Sequence, residues 1–298
     1  MSATLRLRGR LLEPGPQRPL LMGILNLGPD SVADATALRS LRERIERGLQ
    51  LAREGADIVD VGALSGRTDT EPLPLGEEIA LLVPVIAALH EHGILTSVDT
   101  WRAQAAEAAL EAGAALINDT SGLADERLAR LAADSGAGLV LMHTRARPKE
   151  ERFPAYADVL ADVRALLGRL IERACSLGVA REQLLIDPGL DYAKTPEQTI
   201  ELLRRLGELR ALGRPLLLAP SRKYFIGMIA GRAPTARLGG TLAAIEHGLR
   251  AGAGLVRVHD VAEAREYLLV REVLAHDSRP RLRGSRDDEG LKWIAPKT

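Results

Sequence analysis

Three residues that end apolar runs carry the most chemistry: Asp99 in "GILTSVDT", Asn118 in "GAALINDT" and Asp187 in "QLLIDPG". Two carboxylates only accept hydrogen bonds, whereas an amide donates and accepts, so the set suits a flat heterocycle with several N–H groups. A second group is cationic. "APSRKYFIG" brings Ser221, Arg222 and Lys223 together, and "RVHD" sets Arg257 and His259 two residues apart, on one side of a strand. Arginine, histidine and serine supply charge-assisted donors for phosphate oxygens. Taken singly, each Asp has a plain alternative as a helix N-cap, and each Arg as the partner of a helix carboxylate. The combination points to a planar ring with an anionic tail.

For these residues to meet, their runs must be strands that end at one mouth. Eight short apolar runs recur: "LLMGILN", "GADIVDVG", "GILTSVDT", "GAALINDT", "GAGLVLMHT", "QLLIDPG", "RPLLLAPS" and "GAGLVRVHD". They are apolar on both faces and rich in Leu, Ile and Val, as parallel strands covered on both sides must be. Segments of helical period separate them, such as "SLRERIERGLQLAREG" and "EQTIELLRRLGELRALG". Eight such units predict an α/β fold, a closed (β/α)8 barrel; an open doubly wound sheet would carry a G-x-G-x-x-G turn after an early strand, and none is present. Barrel chemistry sits where strands end, which makes Asn26, Asp99, Asn118, His143, Asp187, Ser221, Arg257 and His259 the candidates, with the loops after the seventh and eighth strands as the usual phosphate site.

Residues 1–275 read as one domain. Within it "LRLRGRLLEPGPQRPL" predicts two short strands around a Pro-Gly turn, a hairpin that plugs the barrel bottom. Residues 276–298 lose apolar periodicity and read as a flexible tail, with Trp293 in a frayed end.

Lys plus Arg balances Asp plus Glu at 40 each, which excludes a strongly basic nucleic-acid or membrane surface and favours a small-molecule partner. With no basic leader and no apolar stretch near the roughly 20 residues that span a bilayer, the expectation is a soluble cytoplasmic protein. Cys175 is the sole cysteine, so no intrachain disulfide forms, and it reads as a quiet helix thiol. The histidines show neither H-x-x-x-H nor H-E-x-x-H spacing, so a metal held by a protein cluster is not indicated; "HEH" at residues 90–92 reads as a solvated helix end.

In chain order, "MGILNLGPDS", "GADIVDVG", "SVDT", "INDTSG", "DPG" with "AKT", "SRKYFIG" and "RVHD" resemble dihydropteroate synthase, the pterin-binding barrel family of folate synthesis, over residues 20–270. The resemblance implies a transferase that displaces pyrophosphate from 6-hydroxymethyl-7,8-dihydropterin diphosphate with the amine of 4-aminobenzoate. It implies that Asp99, Asn118, Asp187 and Lys223 bind the pterin, and that Asn26, Arg67, Arg257 and His259 hold the pyrophosphate with Mg2+ at Asn26. Asp99, Asp187, Lys223 and Asp34 would carry catalysis, Val32, Gly66 and Ser221 would line the second-substrate pocket, and the chain would form a homodimer.

Departures from the family pattern gather in the loops that receive the second substrate. The first loop has Gly28, Val32, Ala33, Ala35 and Thr36 where the family has Thr, Phe, Ser and two Gly. The second, "GALSGRTDT", keeps Ser65 and Arg67 but changes Ala63, Leu64, Gly66, Thr68 and Asp69; the sixth reads "DYAKT" where the family has "GFGKT". Three readings follow: a synthase, a paralogue that joins the pterin to a different amine or aryl nucleophile, and a non-catalytic pterin-binding protein. A corrinoid methyltransferase shares the barrel but should lack the "SRK" and "RVHD" groups present here.

Overall fold

In the computed structural model, residues 4–28, 40–64 and 71–275 are described. Strands β1 (Leu5–Leu7) and β2 (Arg10–Leu12) form an antiparallel hairpin in which Leu5 pairs with Leu12. Its turn is Arg8–Gly9 with φ of 46° and 81°, the double positive φ that a tight two-residue hairpin demands. This corrects the Pro-Gly expectation: Pro14, Gly15 and Pro16 follow β2, where Gly15 and Arg18 bridge a second small turn.

Each of the eight apolar runs contributes a strand. They are β3 (Leu20–Asn26), β4 (Ile58–Gly62), β5 (Thr96–Asp99), β6 (Leu116–Asp119), β7 (Gly138–Met142), β8 (Leu184–Asp187), β9 (Leu217–Leu218) and β10 (Leu255–Val258). All pair in parallel in the order β8-β7-β6-β5-β4-β3-β10-β9, and the bridge between Ile186 and Leu216 joins β8 to β9 and closes the barrel. Helices α1 (Leu41–Arg53), α2 (Leu75–Glu91), α3 (Ala103–Glu111), α4 (Arg127–Ser135), α5 (Val159–Ser176), α6 (Pro196–Arg204), α7 (Tyr224–Ala230), α8 (Leu238–Ala251) and α9 (Val261–Ala275) surround it. Local chemistry sets several starts. Ser40 with Glu43 makes a capping box for α1, and Thr195 with Gln198 makes another for α6, with Pro196 in its first turn.

Two apolar layers form. Inside the barrel, Met22, Ile58, Leu116, Val140, Leu185, Leu217 and Leu255 pack on Leu5 and Leu7 of the hairpin. The hairpin is therefore the floor. Gly138 makes room for it, since a Cβ there would lie 2.3 Å from a Leu7 methyl. Arg8 anchors the turn by donating its N–H to the Gly136 carbonyl at 2.8 Å. Outside, Leu, Val, Ile and Ala fill the space between strands and helices. Among the described residues no helix is long and apolar enough to cross a membrane. Cys175 lies half-buried on α5, and His92 caps the solvated end of α2.

Candidate active site

Strand register builds the first tier of the mouth. Asn26 pairs with Gly62, Gly62 with Asp99 and Asp99 with Asn118, and in-register neighbours on parallel strands point to one side. Gly62 presents no side chain to this tier, and even a Cβ there would lie 3.2 Å from that of Asp99. Asp187 closes β8 beside Met142, and its Oδ1 accepts the Gly189 N–H at 2.7 Å. Burial raises the Asp187 carboxyl above its ordinary value, against that hydrogen bond and Lys223.

Arg257 stands across this wall. Its Nε donates to Asp60 Oδ2 at 2.6 Å and its Nη2 to Asp99 Oδ2 at 2.7 Å, while Asn118 Nδ2 donates to the same Asp60 oxygen at 3.0 Å. Burial opposes the guanidinium charge, but Asp60 and Asp99 overcome it and raise the Arg257 pKa. Burial also pushes Asp99 up, against Arg257. Expected on the pyrophosphate, Arg257 thus spends two of its five N–H donors on Asp60 and Asp99. Asp60, fully buried, is a residue that sequence reasoning missed. Its signal was the lone acid inside the strand "IVDVG", at a period-two position that faces into the barrel.

Lys223 enters from the start of α7. Its Nζ lies 4.4 Å from the centroid of the Tyr192 ring, a cation–π geometry. Burial lowers its pKa, and Asp191 and Asp187 oppose the fall. Tyr192 belongs to the loop after β8, which also carries Lys194, 1% exposed. Burial pulls the Lys194 ammonium down to about 7 against Asp187, with Lys223 adding to the fall. In the sequence, "AKT" marks the family resemblance and gives Lys194 no role.

At the margin, Ser221 Oγ and His259 Nδ1 are 2.9 Å apart, and the His259 N–H donates to the same oxygen at 3.2 Å. Burial first, then Arg222 and Arg257, pushes His259 down to about 3, so the imidazole is neutral. Arg222 pairs with Asp260 at 2.5 Å, and Arg237 donates to the carbonyl oxygens of Arg222 and Lys223 at 2.8 and 3.2 Å. These contacts fix the loop backbone, with Arg222 itself at φ 58°.

His143 does not join the mouth. Met142 pairs with Asp187 and faces in, so the next residue faces out; His143 is fully buried with Nε2 2.8 Å from Asp162 Oδ1. Burial, reinforced by Lys194, pushes it down to about 4. Asp119 likewise follows the inward Asn118 and caps its own loop, accepting from the N–H groups of Ser121 and Leu123 at 2.7 and 2.6 Å.

A cleft of about 830 Å3 is lined by Tyr192, Lys223, Arg257, Ser221 and His259 together with the loop after β7, residues 147–153. Arg147, Lys149 and Arg152 of that loop were not singled out from sequence. Asn26 ends β3 half-buried. Asp34, Val32, Gly66, Arg67 and the tail with Trp293 lie outside the described residues. Among the described residues no group of three or more His, Cys, Asp or Glu could hold a metal ion.

Fold and site define a class: a (β/α)8 barrel whose mouth joins a wall of buried carboxylates to a margin of Ser221, Arg222 and His259. Residues 22–259 match the family described as pterin binding enzyme. The chain is 39% identical to the dihydropteroate synthase of Synechocystis sp. over 270 residues, 89% of this chain and 93% of that protein. It superposes on Xanthomonas albilineans dihydropteroate synthase with 4-aminobenzoic acid at a TM-score of 0.84 and 36% identity, covering 92% and 99% of the two chains. The Thermus thermophilus dihydropteroate synthase in complex with 6HMPPP gives 0.79 and 41%, covering 91% and 99%. The chain belongs to the pterin-binding enzyme family and is a transferase of the dihydropteroate synthase type.

Proposed function

We propose that the chain condenses 6-hydroxymethyl-7,8-dihydropterin diphosphate with 4-aminobenzoate and releases pyrophosphate, a step of folate biosynthesis. The observation that carries the reading is the wall of Asp99, Asn118, Asp187 and Lys223 at one mouth. The acids accept ring N–H groups, Asn118 satisfies a mixed edge, and Lys223 donates to a ring acceptor.

In the reaction the methylene C–O bond breaks, its electron pair leaves on the diphosphate oxygen, and the amine nitrogen bonds to the methylene. The proton lost by that nitrogen passes to solvent or pyrophosphate. As the C–O bond stretches, positive charge spreads into the ring, where the acids of the wall stabilise it at fixed positions. Ser221, His259, Asn26 and Arg67 hold the departing anion, joined by any N–H of Arg257 that the wall leaves unused. An anion beside His259 favours its protonated form, which then donates from both ring nitrogens.

Mg2+ fits this site as a shared ion rather than a caged one, because it binds through one or two protein oxygens with substrate phosphates and water. Asn26 offers one hard oxygen at a strand end in the same tier as Asp99, and the described residues hold no three-ligand cluster. The bound ion would neutralise charge on the phosphate oxygens. The same reading makes the protein cytoplasmic and homodimeric. For the dimer, α7 exposes Tyr224, Met228 and Ile229 as an apolar face suited to a second copy.

Val32 and Gly66 support a second reading, transfer to a larger aryl amine, since each replaces a bulkier family residue in the second-substrate loops. One experiment separates the outcomes: mass spectrometry of products from the chain, Mg2+, pterin diphosphate and a panel of aryl amines. Dihydropteroate is expected. A product only with larger amines selects the second reading, and tight pterin binding without pyrophosphate release overturns both.

A further inference from the structure

We propose that Lys194 is a positioning residue for the pterin: its enclosed ammonium holds the loop after β8 in the shape that sets Tyr192 against Lys223. The inference rests on the proposed reaction, because one of its readouts is affinity for the pterin diphosphate.

The loop is built against its own preferences. Asp191 and Ala193 sit at φ 61° and 49°, the left-handed region that side chains disfavour. Gly189 at φ 66° presses so close to the end of β7 that a Cβ there would lie 2.0 Å from the His143 carbonyl oxygen. Some contact must hold this backbone. Lys194 Nζ donates to the carbonyl oxygens of Gly189 at 2.8 Å, Tyr192 at 3.0 Å and, more weakly, His143 at 3.4 Å. All three N–H donors of one ammonium are thus directed at backbone. Two of the acceptors are in the loop, and the third, His143, directly follows the neighbouring strand β7.

Two further contacts of the loop lead to the substrate side. Tyr192, whose carbonyl Lys194 holds, carries the ring that faces Lys223. Asp191 accepts the N–H groups of Tyr224 and Phe225 at 2.6 and 3.3 Å, which ties the loop to the first turn of α7 just after Lys223. Tyr156 donates to the Ala193 carbonyl at 2.9 Å and supports the loop from behind. Lys194 itself, buried beneath Gly189, has its donors on backbone rather than on the cleft. It acts through the atoms it holds.

Lys194→Met removes the donors while filling the space, and Lys194→Gln restores part of the hydrogen bonding. Amide exchange of residues 189–194 in the protein without substrate should quicken about tenfold in Lys194→Met and less in Lys194→Gln. With turnover of the parent established first, the KM for pterin diphosphate should rise about tenfold in Lys194→Met, while that for 4-aminobenzoate stays within about twofold. In a Tyr192→Leu background the same substitution should cost little more, because both act on one contact. Unchanged exchange overturns the proposal. So does equal loss for both substrates, or full additivity with Tyr192→Leu. A parent that makes no dihydropteroate refutes the reaction instead, and exchange then still decides whether Lys194 holds the loop.

Discussion

The ring wall and the anion margin meet at Arg257, yet they handle buried charge in opposite ways. In the wall, Asp60, Asp99, Asn118 and Arg257 are joined by contacts of 2.6 to 3.0 Å before any substrate arrives. At the margin, Ser221 and His259 hold each other, and burial keeps the imidazole uncharged. The wall is a preassembled set of charges; on the proposed reaction the margin would acquire part of its charge with its ligand. On that reaction, a rigid slot fits a ring whose edge pattern never changes, whereas the margin would have to bind the diphosphate and let pyrophosphate go.

The strongest way to break that contrast is Asp187→Asn. Losing one wall charge at nearly constant shape should lower kcat/KM about a thousandfold, measured by steady-state pyrophosphate release. A loss under tenfold would mean that the acid does not face the developing charge. Next comes Asp60→Ala, which leaves Arg257 with Asp99 alone and strands the Asn118 amide. Urea unfolding should show a loss of about 3 kcal/mol, since removing one partner of a buried pair uncovers the other.

His143 supplies a pH signature for the rear of the wall. Its native value of about 4 lies below the ordinary 6.5, so between those limits the unfolded chain binds a proton that the native chain refuses. Stability from this group is therefore lost as pH falls through that window, by about 2 kcal/mol from about pH 7.5 to about pH 5. Several buried acids, raised by burial, pull the other way. The difference in urea midpoint between the parent and His143→Gln isolates the histidine. Asp162, held down to about 2 chiefly by Arg145, stays charged across the window.

The smallest effect sharpens the contrast most. His259→Gln should weaken pterin diphosphate binding about tenfold and leave the pterin alcohol, which lacks the anion, unchanged. Calorimetry of the parent near pH 6 in buffers of different ionisation enthalpy should show proton uptake with the diphosphate alone. Equal weakening of both ligands would assign His259 to the wall.

Much of this was legible in the chain. Parallel strands buried on both faces read as unbroken apolar runs, so all eight could be counted, and Asp99, Asn118 and Asp187 stood out where they end. Other features were not legible, for particular reasons. His143 ended a run in sequence, but β7 stops with Met142 facing inward, and a one-residue difference reverses the face. The hairpin turns at Arg8, because a non-glycine residue at positive φ leaves little mark in composition. Lys194 looked like a family marker, since nothing local says which carbonyl oxygens an ammonium will meet.

By itself the sequence determined the barrel and the family, and it set Asp99, Asn118 and Asp187 at the strand ends that share one mouth. These rest on periodicity and on motif order, which are properties of neighbouring residues. Only the tertiary structure decided that Arg257 joins Asp60, 197 residues away, and Asp99. It alone decided that Lys194 serves backbone. Partner choice among buried charges follows from distance and burial in the closed barrel, and those exist only once the eight strands have come together.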